Sequence, residues 1–158
     1  MSEHPTFLTP EAHAKLRDEL DHLKTEGRAH IEERIAEARS HGDIRENADY
    51  DAAKNEQGMM EARIRQLEHL LGTAVVGEAE HSDEVVVGSV VTVSDSDGDE
   101  LRYFVAPAEN RAPGYLLASP SSPLGQALLG AKPGEDVTYR APGGDFTVTV
   151  VSVEPFRA

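Results

Sequence analysis

Ala53, Gln57, Met60, Ile64, Leu67 and Leu71 follow 4-3-4-3-4 spacing. This is a heptad seam, a single apolar stripe along an α-helix that stays unsatisfied until a second helix covers it. The upstream segment supplies that second helix. Leu16, Leu20 and Leu23 recur at 4-3 spacing, and Ile31, Ile35 and Ala38 resume the stripe after Gly27. Thr9 is placed to cap the first helix, with Pro10 at the first helical position, where its missing N–H costs nothing. The first helix is predicted to end at Ser40–Gly42, with Gly42 suited to a left-handed cap. The second is predicted to start within Asp43–Asn47 and to close at Gly72. Met59 and Met60 are expected to pack in the seam, whereas Gly58 costs about 1 kcal/mol relative to Ala and has no evident role. Two such helices joined by a short turn make an antiparallel coiled-coil hairpin. Arms of about 25–30 residues reach roughly 40 Å, which suits a probe that carries its tip away from a body. A hairpin that fills its own seam favours a monomer.

Beyond the hairpin the pattern changes. Gly and Pro concentrate after residue 77, and GEAEHSDE reads as an acidic linker between residues 1–77 and 78–158. Val85–Val87 and Val90–Val93 lead to a turn at Asp95–Asp99, followed by strand candidates at Leu101–Val105 and Tyr115–Ala118. Leu124–Leu129 reads as a short helix, and Val137–Arg140 and Phe146–Val153 flank the turn signal Pro142-Gly143-Gly144. The expected fold class is therefore α+β: an N-terminal antiparallel coiled-coil hairpin plus a C-terminal antiparallel β domain with a short helix.

Charge and composition narrow the functions. The chain carries 29 acidic and 15 basic side chains, a formal net charge of −14. Non-specific binding to duplex nucleic acid needs the opposite balance. With no cysteine, disulfides, thiolate metal sites and thiol catalysis are excluded. Hydrophobic residues at 39% are too many for a wholly disordered acidic chain. No apolar run approaches the roughly 20 residues of a membrane span. The N-terminal residues lack the basic and apolar regions of a secretory signal. A soluble cytoplasmic protein is expected.

The turn of the hairpin holds the chemistry: His41-Gly42-Asp43-Ile44-Arg45-Glu46-Asn47. Asp43 and Glu46, three residues apart at a helix start, can point their carboxylates the same way. By local pattern this is a capping box that satisfies orphan backbone N–H groups. As a functional site the pair would hold a Mg²⁺ only when another molecule supplies the remaining oxygens. His41 lies beside the acids without a required role.

The segment GDIRENADYDAAKNEQGMMEARIRQLEHLL resembles the hairpin of the Gre family of bacterial transcript-cleavage and elongation factors. The likeness rests on the Gly-Asp-x-x-Glu-Asn-Ala-Asp-Tyr tip, Ala52-Ala53-Lys54, Gln57-Gly58, Glu61-x-Arg63-Ile64 and the upstream Ile35–Arg39. Ser119–Gly130 and the Pro-Gly-Gly turn with its valine-rich strand resemble that family's second domain. The resemblance implies an FKBP-like C-terminal domain that docks at the rim of the RNA polymerase secondary channel, on the largest subunit. The coiled coil would enter the channel, so that the polymerase itself cleaves backtracked RNA near the 3′ end. Asp43 and Glu46 match the family's two tip acids and would help hold a catalytic Mg²⁺ shared with the polymerase, with none bound stably alone. Asn47, Tyr50, Lys54 and Arg45 are candidate RNA or channel contacts, and Arg39 is a further candidate for RNA phosphates. Ser121, Ser122, Pro123 and Leu124 are the candidate docking residues, with Ser122-Pro123-Leu124 equally able to cap and anchor the short helix. Ser121 departs from the Asn or Asp common in relatives.

The chain would then be an activator of another enzyme. The alternative within the same architecture is a secondary-channel regulator that inhibits polymerase without promoting cleavage. A prolyl isomerase is the weakest reading, because Trp is absent and the aromatics Tyr103, Phe104, Tyr115, Tyr139, Phe146 and Phe156 fall mostly on strand candidates expected in the core.

Overall fold

A computed structural model describes residues 6–40, 48–77 and 81–157. The contacts divide the chain into two units. One is Ala14–Thr73; the other collects the residues up to His13 and from Ala74 onward.

The first unit is the helical hairpin. α1 (Pro10–His22) runs through a π-helical turn at Leu23–Gly27 into α2 (Arg28–Ser40), and α3 (Ala48–Thr73) returns. Every position of the α3 heptad seam is buried or half-buried, and Ile64 and Leu67 are among the most enclosed side chains in the molecule. Ile31, Ile35 and Ala53 form a buried cluster, with Tyr50 and Met60 packed against it. The π turn explains the spacing of the first arm. Leu16, Leu20, Leu23 and Gly27 keep 4-3 register, but a strict heptad would continue at residues 30, 34 and 37. The buried residues are Ile31, Ile35 and Ala38, one position later. A single wide turn absorbs one inserted residue, so both halves of the stripe face α3.

Ion pairs fix the antiparallel register. Lys24 pairs with Glu68, Arg28 with Glu61 and Arg34 with Glu56, residue numbers rising on one arm as they fall on the other. Arg63 grips Glu19 through two hydrogen bonds of 3.1 and 2.8 Å. Exposed pairs add little stability; their use here is alignment.

Two expectations for the hairpin are corrected. Met59 is 67% exposed, because a heptad seam takes only one of two adjacent positions and Met60 fills it. Gly72 does not close α3, which continues to Thr73. The Thr9 cap is present: its hydroxyl accepts from the Ala12 N–H at 3.1 Å.

The second unit is a curled five-stranded sheet in the order β5-β4-β3-β7-β6, made of β3 (Ser89–Ser94), β4 (Glu100–Val105), β5 (Leu116–Ala118), β6 (Asp136–Ala141) and β7 (Gly144–Pro155). All neighbours are antiparallel except β4 and β5, which run parallel. The short helix α4 (Pro123–Leu128) adds Leu124 and Leu128 to a core of Val85, Val91, Val93, Val105, Val148, Val150 and Val153. Val85–Val87 is not a strand. Val85 is buried, and its N–H and C=O pair with the turn after α4 through Ala131 and Gly130 at 2.9 Å each. β7 carries a bulge: Thr92 pairs with Ser152 but Val93 with Val150, so Val151 turns outward. Phe146 is 44% exposed and lies outside the core.

β1 (Phe7–Leu8) and β2 (Val75–Val76) form a small parallel pair in this unit. Asn110 anchors it. Its Oδ1 accepts from the Thr9 N–H at 2.7 Å, and its Nδ2 donates to the Phe7 carbonyl at 2.8 Å. Among the described residues, no helix is long and apolar enough to cross a membrane.

Candidate functional site

The tip acids Asp43 and Glu46, with His41, Arg45 and Asn47, lie outside the described residues. The structure describes the two helix ends that flank them. α2 is described to Ser40, whose hydroxyl donates to the Glu37 carbonyl at 2.6 Å, and α3 from Ala48. Tyr50 is half-buried against the Ile31–Ile35–Ala53 cluster, and the Arg39 guanidinium lies 5.8 Å from its ring centroid. Tyr50 thus braces the start of α3 while keeping one cation on its ring. Lys54 points to solvent and donates to Gln57 Oε1 at 3.0 Å. Beside these, Arg34, Glu37, Ala38 and Asp49 line a small cleft of mixed charge. Among the described residues no group of three carboxylate or imidazole ligands comes together.

Further along the hairpin, Arg28 donates to both oxygens of Glu61 at 3.0 Å each. That hydrogen bonding raises the Arg28 pKa above its ordinary value and lowers that of Glu61.

The four docking candidates divide into two kinds. Ser122 caps α4: its Oγ accepts from the Gly125 N–H at 3.1 Å and donates to the Ser119 carbonyl at 2.7 Å. Leu124 packs on the core. Ser121 and Pro123, on either side of Ser122, are exposed. The loop is drawn so tight that a Cβ on Gly125 would stand 1.8 Å from the Ser119 carbonyl oxygen. Only glycine fits there, so the backbone itself fixes how Ser121 and Pro123 are presented.

A second feature escaped the sequence. Phe104, Tyr115 and Phe156 form an aromatic trio, with Phe104 and Phe156 stacked at 4.3 Å and Tyr115 edge-on to both. Arg102 lies over the Tyr115 ring at 4.8 Å. These residues come from β4, the position just before β5 and the position just after β7, so only the sheet order reveals the cluster.

Residues 6–76 match the family described as transcription elongation factor, N-terminal, and residues 79–155 match transcription elongation factor, GreA/GreB, C-term. The chain is 45% identical to transcription elongation factor GreA of Streptomyces coelicolor, over 99% of this chain and 97% of that protein. It is 49% identical to the GreA of Saccharopolyspora erythraea, over 96% of this chain and 95% of that protein. Among solved structures, GreA factor homolog 1 (Gfh1) of Thermus thermophilus is 27% identical, covering 96% of this chain and 99% of that chain with a TM-score of 0.45. Both halves are matched in order and relatives are covered nearly end to end, so the chain belongs to the GreA/GreB family of transcription elongation factors.

Proposed function

We propose that this protein stimulates RNA polymerase to cleave its own backtracked transcript, rescuing arrested complexes, and is not an enzyme by itself. The observation that carries this is the intact Asp43 and Glu46 pair at the turn of a hairpin whose register is locked by its seam and its ion pairs. The working partner is RNA polymerase in the cytoplasm. The helical hairpin, Ala14–Thr73, enters the secondary channel toward the RNA 3′ end, and residues 78–158 dock at its rim on the largest subunit. Ser121 and Pro123 serve that docking directly, and Ser122 and Leu124 hold the loop that presents them.

The donor chemistry fits a shared ion. Two carboxylates supply two of the six or so oxygens that Mg²⁺ takes, which leaves the rest to polymerase, substrate and water. Bound there, the ion would activate water and neutralise the leaving oxygen. Asp43 and Glu46 would hold it and orient the attacking water. Arg45, Asn47 and Lys54 line the approach to RNA, and Tyr50 steadies the first turns of α3. A stalled, backtracked elongation complex tests the reading. Added protein with Mg²⁺ releases short 3′ RNA fragments and restores extension; slowed synthesis with no fragments would establish an inhibitory channel regulator instead.

A further inference from the structure

Gly58 lies inside the 26-residue helix α3, exposed and off the seam, and a Cβ there would meet nothing within 4 Å. Glycine inside a helix is less stable than alanine, so the position weakens the hairpin with no compensating contact of its own. Its flanks are ordered. On one side Asn55 Nδ2 lies 3.9 Å from the Met59 sulfur, and on the other Lys54 donates to Gln57 Oε1 at 3.0 Å. Both pairs run along the helix, as side chains three or four residues apart do. Glu61 is drawn across to Arg28 on the other arm. No neighbouring side chain therefore closes over the glycine. What remains is a bare patch of helix backbone walled by the Met59 side chain, which is 67% exposed.

We propose that the Gly58–Met59 face of α3 is a contact surface, on which an uncharged ridge of RNA polymerase packs against the helix backbone closer than a Cβ allows. Gly58 lies about 15 Å along α3 from Ala48, the end next to the turn. An arm that carries its turn into the polymerase carries Gly58 in with it, so the patch is enclosed by protein when the turn is in place. A bare glycine lets a partner's backbone or aliphatic side chain approach to the Cα, where Cα–H groups can meet carbonyl oxygens. The Met59 thioether adapts its shape to whatever lies beside it. RNA fits less well. Phosphate seeks cations, and Lys54, the cation beside the patch, is held to Gln57. The inference rests on the channel reading of the hairpin proposed above. It adds to that reading a contact on the shaft of the arm, apart from the acids at its turn.

The test measures the affinity of full-length labelled protein for RNA polymerase, both as core enzyme free of nucleic acid and in backtracked complexes. Gly58→Ala is expected to weaken binding to both by about tenfold, the effect of forcing one methyl group into a close-packed contact, and Gly58→Leu to weaken it further. Gly72→Ala places the same methyl group on an equally open glycine of α3, about 21 Å farther from the turn, and is expected to bind as wild type. Thermal melts separate contact from folding: Gly58→Ala is expected to melt no lower than wild type, so its lost affinity is not lost structure. Wild-type affinity in both Gly58 variants would overturn the contact while the polymerase partnership stands. Equal weakening by Gly72→Ala would trace the effect to the helix as a whole and overturn it too. Weakening confined to backtracked complexes, with core enzyme bound normally, would assign the face to RNA and overturn the proposal. No binding by wild type would overturn the contact and the partnership together.

Discussion

Gly27 lies directly against Met60: a Cβ on Gly27 would stand 3.2 Å from the Met60 sulfur. Gly27 closes the π turn, and Met60 is the seam residue opposite the point where the first arm changes phase. The absent side chain lets the wide turn approach α3. Gly27→Leu should therefore overfill the seam and cost about 1–3 kcal/mol, read as a lower denaturation midpoint with the helical spectrum retained. An unchanged midpoint would show that the contact is slack.

Arg28 and Glu61 predict a pH dependence. Hydrogen bonding from Arg28 is the largest cause of the lowered Glu61 pKa. A carboxylate lowered in the folded state stabilises fully above its unfolded value, near 4.5, and loses that contribution as pH falls through the folded value. Melting temperatures taken from pH 6 down to pH 3 should fall more steeply for wild type than for Glu61→Gln. Parallel curves would contradict the pairing.

Gly58 has no intramolecular reason to be glycine. It sits exposed inside α3, and a Cβ added there would meet nothing within 4 Å. Gly58→Ala should raise stability by about 1 kcal/mol through helix propensity alone, visible as a higher chemical-denaturation midpoint. A loss of stability would reveal a packing role the structure does not show.

Asn110 is 2% exposed and satisfies both Thr9 and Phe7. Asn110→Ala strands a buried N–H and a carbonyl, at a cost of about 2–3 kcal/mol. Hydrogen exchange should quicken first at Val75 and Gly77, whose N–H groups donate to Thr6 and Leu8. Unchanged protection there would mean that the strand pair holds without its anchor.

The hairpin is legible in the sequence because a 4-3 seam is a periodic, local signal, and Ala53 through Leu71 obey it. The phase shift after Gly27 stands in the same residues, but a stripe that resumes one position late looks like continuation until the π turn is seen. Strand positions are legible where valines alternate. At Val150-Val151 the alternation breaks, and only pairing with Thr92 and Val93 shows a bulge. The β1–β2 pair, the Asn110 anchor and the Arg102–Tyr115–Phe156 cluster join residues far apart in sequence, so no local pattern announces them. Ser122 and Leu124 fall within a docking motif by resemblance, and the structure gives them the cap and core roles that are the plainer alternative.

The proposed function places the work on two carboxylates at the hairpin turn, Asp43 and Glu46. Cleavage of RNA in a defined backtracked complex, measured with wild type and with the Asp43→Asn, Glu46→Gln double variant at matched polymerase occupancy, tests it most directly. Wild type should accelerate release of the 3′ fragment, and the double variant should lose at least about a hundredfold of that rate, the scale on which placed catalytic groups act. A double variant that binds polymerase and cleaves as fast as wild type would contradict the account.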